Sequence, residues 1–414
     1  MQNEELENYF KSDKSEWYAT NAKGEKKWDK NKVAEFWRRI REYKIDKKDF
    51  EFIGYVFPEF EEDYFARKRN DPKKKDVNFW KEGELSEFKE SIYFDYSTFL
   101  GFIDFKFVAF FNTASFLGVK FLSESNFNFA LFKGSAIFSR CGFFNDTFFY
   151  KTTFKDETYF YRSSFQSDAN FIDTNFKKCV FKRIIVGDNE VLFENIESTP
   201  NNILIFIDFA FKNNIMFRQC NMKAISFYKC DIQDAAFLNC NWQGNDRIIL
   251  REEFYLREAN IYLDDDVNYS LGDLEYNYRQ LKKNFDNSKN WELSGFAYVS
   301  EMKIRQQSLW NERDYFQWFI YWFYGFFGGY TQSFKRPLVS LICLICTFSI
   351  IYYFIDFNLL KAIQRGVKGA MPFTIIDTQN PFNGYWLIAR NVEFLIGGTL
   401  ITFFVMALRK RFKQ

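Results

Sequence analysis

Histidine is missing from all 414 residues. Its absence removes every Ser-His and Cys-His couple, the usual nitrogen ligand of zinc and the ordinary proton shuttle near neutral pH. No phosphate-cradling glycine loop and no pair of cysteine pairs takes their place. A surplus of one charge is missing too, since 56 Lys and Arg stand against 54 Asp and Glu. That balance argues against a basic nucleic-acid binder and against an acidic tail protein. The expectation is a protein that is not an enzyme and has no cofactor, no metal and no nucleic-acid partner. What the chain has in excess is phenylalanine, with Phe 57 in the count. An ordinary core mixes several apolar shapes to fill irregular space. One shape used over and over implies one pocket built over and over.

Position supports that reading. Phe94, Phe105, Phe116, Phe127, Phe138, Phe149, Phe160 and Phe171 follow one another at a constant step of eleven. Phe99, Phe110, Phe121, Phe132, Phe143, Phe154, Phe165 and Phe176 keep the same step. Interleaved, the two series give spacings that alternate between five and six. A helix needs 3.6 and a flat strand 2, so neither fits. A strict longer period marks a solenoid. The residue two before each Phe is small or β-branched, as in Ser97, Val108, Ala114, Val119, Ser125, Ala130, Cys141, Thr152 and Ser163. A large inward residue beside a small inward one suits a narrow coil whose corners crowd the axis. The pattern is expected to break with an inserted loop over 183–203 (charges, Gly187, Pro200). It returns at plain five-residue spacing at Phe217, Met222, Phe227, Ile232, Phe237 and Trp242, with a last fragment at Ala259-Asn260-Ile261.

These residues resemble the pentapeptide-repeat family, in its Phe-rich variant. The resemblance implies a right-handed quadrilateral β-helix in which four of the alternating five and six steps complete one turn. Phe94 to Phe181 would then be about four turns, roughly 20 Å at one strand spacing per turn. Relatives that mimic DNA and bind gyrase need an acidic surface. Residues 92–182 hold ten Lys and Arg and eight Asp and Glu, which ranks that reading last.

The remaining chain divides around the repeat at 91–262. Residues 1–90 are charged and rich in Trp and Tyr, and are expected to cap the open end of the solenoid. Residues 263–312 read as a helical linker. Residues 313–336 read as an aromatic helix lying at a membrane surface. Residues 337–414 read as a transmembrane hairpin with spans at about 337–355 and 386–408. The polar start, Met1-Gln2-Asn3-Glu4-Glu5, is not that of a signal peptide. Lys335-Arg336 before the first span and Arg409-Lys410-Arg411 after the second put both termini in the cytoplasm of an inner membrane. Five of the seven cysteines (Cys141, Cys179, Cys220, Cys230, Cys240) fall at the small inward position, where packing explains them. Cys220 and Cys240 would lie one strand spacing apart, near enough for a disulfide that a cytoplasmic setting disfavours. Cys343-Leu-Ile-Cys346 has metal-pair spacing but lies in an apolar run without a second pair.

Span, short helix (359–370), extended stretch, span is also the layout of a two-span channel subunit. The region resembles bacterial pentapeptide-repeat proteins ending in a potassium-channel-like pore module, which implies a homo-oligomer, a tetramer by that resemblance. Thr374, Ile375, Ile376 and Asp377 stand where the filter would be, without its glycines, so potassium selectivity does not carry over. Glu393 is an acid at membrane depth. It would form a cation-favouring ring in an oligomer or pair with Arg390 at i,i+3. Gly397 and Gly398 offer a hinge or a close helix contact. A membrane pore subunit with a cytoplasmic solenoid is the first expectation. A membrane-tethered scaffold whose solenoid binds a protein partner is the second.

Overall fold

The structure is a computed structural model and describes residues 3–20, 26–59, 86–197, 202–257, 269–371 and 385–412. It separates into two compact units, Met1–Gln243 with Ile249–Tyr269, and Gly244–Ile248 with Ser270–Gln414.

The first unit is a parallel β-solenoid of about seven turns over residues 87–238. Its strands are mostly two residues long, because the chain bends after almost every inward Phe. Thr98–Phe99, Lys120–Phe121, Gly142–Phe143 and Ser164–Phe165 lie one above the next in parallel register, at one constant offset along the chain. The same offset stacks Ile103–Asp104, Ser125–Asn126, Thr147–Phe148 and Ala169–Ile172. Parallel sheets of six, seven and ten strands result. Every Phe of the two interleaved series is buried, none more than 2% exposed. Their rings form columns along the axis. Phe94, Phe116, Phe138 and Phe160 stack at 4.8–5.3 Å with interplanar angles of 2–16°. The neighbouring column of Phe127, Phe149 and Phe171 meets them edge-on, as at Phe138–Phe149 (87°). Offset stacking within a column and edge-to-face contact between columns are the two preferred aromatic geometries. A repeated planar ring satisfies both in a way Leu or Ile cannot.

The small inward positions are buried as well, and their hydroxyls explain why Ser and Thr alternate there with Ala. Thr152 Oγ1 donates to Phe127 O at 2.7 Å and Thr174 Oγ1 to Phe149 O at 2.8 Å. Each bond reaches the previous turn, so a buried polar group is satisfied where it ties turn to turn. Alternate corners are four-residue turns closed by bonds such as Ser97 N–H to Phe94 O (3.0 Å) and Thr152 N–H to Phe149 O (3.1 Å). Their third residue takes a positive φ, 53–58° at Tyr96, Phe107, Phe129, Arg140, Lys151, Arg162 and Asp173, and 69° at Gly118. That is the type II turn, which favours glycine at this place.

Two expectations need correction. The described residues of the expected loop 183–203 carry rungs of the coil: Ile185–Val186 pairs with Ser164–Phe165 and Val191–Glu194 with Ala169–Ile172. Phe193 stacks on Phe171 at 4.9 Å. The charges there sit on outward positions and corners. The spacing between rungs stretches, since Phe206 continues the column of Phe181 after a longer interval than the rungs before it. The coil also starts before residue 91. Val56–Phe57 pairs with Thr98–Phe99 and Ser86–Phe88 with Val108–Phe110, while Phe52 stacks on Phe94 at 5.1 Å. Above these rungs lie α1 (Asn3–Lys11) and α2 (Lys30–Ile40). Phe10 covers the Tyr55 ring at 5.1 Å and Trp37 the Phe57 ring at 5.7 Å, which closes this end of the ring columns. At the other end, α3 (Arg251–Arg257) brings the Glu252 carboxylate onto the Phe227 N–H. On lower turns that N–H position bonds the carbonyl of the following turn, as Phe94 N–H does to Ser115 O. A side chain thus completes the last rung. The fragment 259–261 lies outside the described residues.

The second unit is helical. In α4 (Leu271–Asn287), Ser270 caps the start through a reciprocal pair of bonds with Asp273. It packs on α5 (Trp291–Asn311) through Leu274, Tyr278, Leu281, Ala297 and Ile304, all at most 2% exposed. Next comes α6 (Tyr315–Gly328), which ends at Gly329 in the left-handed conformation, φ 54°. The chain continues through α7 (Lys335–Asp356), α8 (Leu359–Ala370) and α9 (Tyr385–Phe412). Both α7 and α9 are long and apolar enough to cross a membrane. Only 22% of each apolar window is buried within the chain. Their basic ends lie together, since Lys410 Nζ donates at 2.7 Å to Oε1 of Gln332, just ahead of α7.

Candidate functional site

Three helices, α7, α8 and α9, build the site. The first ends when Phe357 turns left-handed (φ 48°), and Asn358 then caps α8 by accepting from the Lys361 N–H. One stripe of α8 is small: Ala362, Gly366, Gly369 and Ala370, all buried. Spacing of three and four puts them on one face, where small residues let helices approach closely in an apolar medium. At both glycines of this stripe a side chain would displace a polar group of the site. A Cβ on Gly366 would stand 2.4 Å from Ser349 Oγ of α7, and one on Gly369 2.1 Å from Glu393 Oε2 of α9.

Glu393 is 0% exposed. Its Oε2 accepts a hydrogen bond from Tyr352 Oη at 2.7 Å, while Oε1 has no partner among the described residues. Ser349 Oγ is also buried and unpartnered among them. Ser349 and Tyr352 are spaced i,i+3 on α7, hence on one face; Ser349 faces Gly366, and Tyr352 holds the Glu393 carboxyl that faces Gly369, spaced i,i+3 from Gly366 on α8. The result is a short polar column of one carboxyl, one phenol and one hydroxyl, walled by glycine backbone. A buried carboxyl oxygen without a partner is costly unless it serves a ligand or a proton. In apolar surroundings such a group is a site by default.

The site residues expected from sequence fall as follows. Thr374, Ile375, Ile376 and Asp377 lie outside the described residues. Glu393 faces Tyr352 of its own chain, enclosed by α7 and α8. Gly397 is a close helix contact, because a Cβ there would stand 2.3 Å from Ala370 O. A Cβ on Gly398 would have nothing within 4 Å. The five solenoid cysteines are free thiols at inward positions, and Cys141 Sγ donates to Phe116 O at 2.9 Å. Cys343 and Cys346 are exposed on α7. Among the described residues no three metal-ligating side chains come together. Sequence reasoning missed Tyr352, Ser349 and the two glycines of α8. Their signal was available as polar groups at i,i+3 in an apolar run, with glycines at i,i+3 in the helix that follows. No family model, no curated protein and no solved structure matches this chain.

Proposed function

We propose that the chain is a membrane-anchored solenoid of pentapeptide-repeat type, a right-handed four-sided coil tethered to the cytoplasmic face of an inner membrane by the α7/α9 hairpin. Its faces would serve as a docking platform for a cytoplasmic protein partner. The observation that supports this most is the outer surface of the two candidate spans. Val339, Ile350 and Phe354 on α7, with Ile388, Leu395 and Val405 on α9, are 55–68% exposed. Such a continuous apolar surface is a liability in water and carries no cost in hydrocarbon. The basic residues at the joined ends of α7 and α9 favour the cytoplasmic side for those ends. Fractionation tests the anchoring: the full-length chain should remain in the membrane pellet after an alkaline carbonate wash. Recovery in the supernatant would refute it.

A second reading is favoured by one specific feature, the polar column at Glu393 beside a short helix packed between two spans. Assembled around a common axis, several α7–α8–α9 modules would form a cation pathway. Because Glu393 is enclosed within its own chain, its role would be to polarise and position α8 behind the pathway rather than to line it. Proteoliposomes loaded with a cation-sensitive dye should then show flux that falls several-fold in Glu393→Gln. Dye signals equal to those of empty vesicles would leave the scaffold reading alone.

A further inference from the structure

A groove of about 600 Å³ runs between α6, α7 and α9, away from the Glu393 column. Its walls are apolar: Phe323, Phe327, Leu344, Ile396 and Leu400. That volume falls within the roughly 300–1,000 Å³ typical of single-ligand sites. Lys335 and Arg336 belong to the same lining and stand at the first positions of α7, so cations occupy one end of the groove and a mainly apolar wall, interrupted by Ser340 and Thr347, the rest. Arg336 is shared with Asp246 at 3.4 Å. Lys335 is exposed and has no ion pair among the described residues.

We infer that this groove binds an anionic phospholipid, with an acyl chain against the Phe323/Leu344/Leu400 wall and the headgroup phosphate on Lys335 and Arg336. Three observations carry it. The amphipathic layout of the groove matches the ligand: apolar length, then positive charge. Its apolar wall runs onto faces left open toward lipid, since two of its own lining residues, Phe326 and Val339, are 61% and 58% exposed. The charge end lies at the level where the basic ends of both spans meet, marked by the Lys410–Gln332 bond. Cationic side chains at that depth lie in the headgroup layer, where they attract anionic lipid. A zwitterionic lipid would fill the apolar part equally well but would bring its own cation to Lys335. Selection is therefore expected to reside in the headgroup end alone.

The inference rests on the anchoring reading, and its test is separate from that one. Full-length protein extracted in mild detergent is washed free of loose lipid and titrated with phosphatidylglycerol or with phosphatidylcholine of the same chains. Bound lipid is counted by native mass spectrometry. We expect one tightly held phosphatidylglycerol per chain, retained at least tenfold better than phosphatidylcholine. The Lys335→Gln/Arg336→Gln variant should lose that preference yet still sediment with membranes, and Lys335→Arg should keep it. Leu344→Trp, which fills the groove, should lower retention of both lipids. Equal retention of the two lipids by the unaltered protein would overturn the proposal. So would a preference unchanged in the double variant, or inorganic phosphate displacing the lipid fully. A chain that never sediments with membranes would instead refute the anchoring.

Discussion

At the scale of single residues, Glu252 carries the clearest electrostatic consequence. Its carboxylate receives the Phe227 N–H at the last rung of the solenoid, while Oε2 has no partner among the described residues. Burial pushes its pKa from 4.5 up to about 7, against the lowering effect of the Phe227 bond and the Arg251 charge. Tyr255, Tyr269 and Cys230 face the same pocket and are themselves raised by burial, so none supplies a counter-charge. Arg251, the nearby cation, is turned toward Tyr255 Oη and Lys223 O, each at 3.2 Å. The folded state therefore holds a proton that the unfolded chain releases near 4.5. Its stabilising contribution is complete below that value and is lost as pH rises through about 7. The loss is on the order of 3 kcal/mol, at about 1.4 kcal/mol per pKa unit. Thermal unfolding of the solenoid followed by circular dichroism should show a midpoint falling from pH 5 to pH 8. In Glu252→Gln, which keeps an acceptor for Phe227 and cannot ionise, the midpoint should be nearly flat and higher at pH 8. Parallel profiles for the two proteins would refute this assignment. A second residue-scale effect lies at the corners. Arg140 is exposed and holds φ at 58°, which costs a side-chain-bearing residue about 1–2 kcal/mol. Arg140→Gly should gain about 0.5–1 kcal/mol after the extra entropy of glycine in the unfolded chain, read as a higher denaturant midpoint.

At the scale of elements, the contact between α8 and α9 is set by one glycine of an adjacent pair. A Cβ on Gly397 would meet the Ala370 carbonyl oxygen at 2.3 Å, and backbone cannot step aside as a side-chain tip can. The same Cβ on Gly398 would meet open space. Gly397→Ala should therefore destabilise the helical unit by about 1–3 kcal/mol, the usual cost of overpacking. Gly398→Ala should be neutral or gain up to about 1 kcal/mol of helix propensity. Thermal melts in detergent compare the two directly, and equal shifts would refute the packing argument. Sequence spacing could not tell these glycines apart, because which one meets a neighbour depends on the rotation of α9, and rotation is decided by tertiary packing. The solenoid was legible for the opposite reason. Its contacts recur at a fixed offset, so the pairing of Phe121 with Phe143 is repeated in the sequence as a period. Where the offset becomes irregular, legibility ends. The rung at Val191–Glu194 passed for a loop. The rung at Val56–Phe57 joins Thr98–Phe99 across a much longer stretch of chain than one regular turn, and left no periodic trace. The polar column was half visible. Glu393 stands out as an acid in an apolar run, whereas Tyr352 does not, because a tyrosine near a span end is ordinary.

At the scale of the whole molecule, two cores of different kind share one chain. The first is a stack of aromatic rings whose units touch only their neighbours along the axis. The second is a helical unit whose apolar residues face both inward and outward. In a stack, nearest-neighbour terms spread damage along the axis, so one weakened rung lowers the whole coil. Phe138 is a stringent place to look, because it is fully buried between Phe116 at 4.8 Å and Phe160 at 4.9 Å. Phe138→Leu removes both stacking partners and part of the volume, at a cost of about 2–3 kcal/mol. Damage in one core should stay there, since effects at distant sites without shared partners add. Calorimetry of the full-length chain in detergent should accordingly resolve two transitions, because a chain with more than one core departs from two-state unfolding. The circular-dichroism signal of the β-solenoid should identify one of them. Phe138→Leu should lower that transition alone, Gly397→Ala the other alone, and the double variant should show both shifts at their single-variant sizes. A single transition lowered by either substitution would mean that the solenoid and the helical unit unfold as one, and that the two cores are coupled in stability.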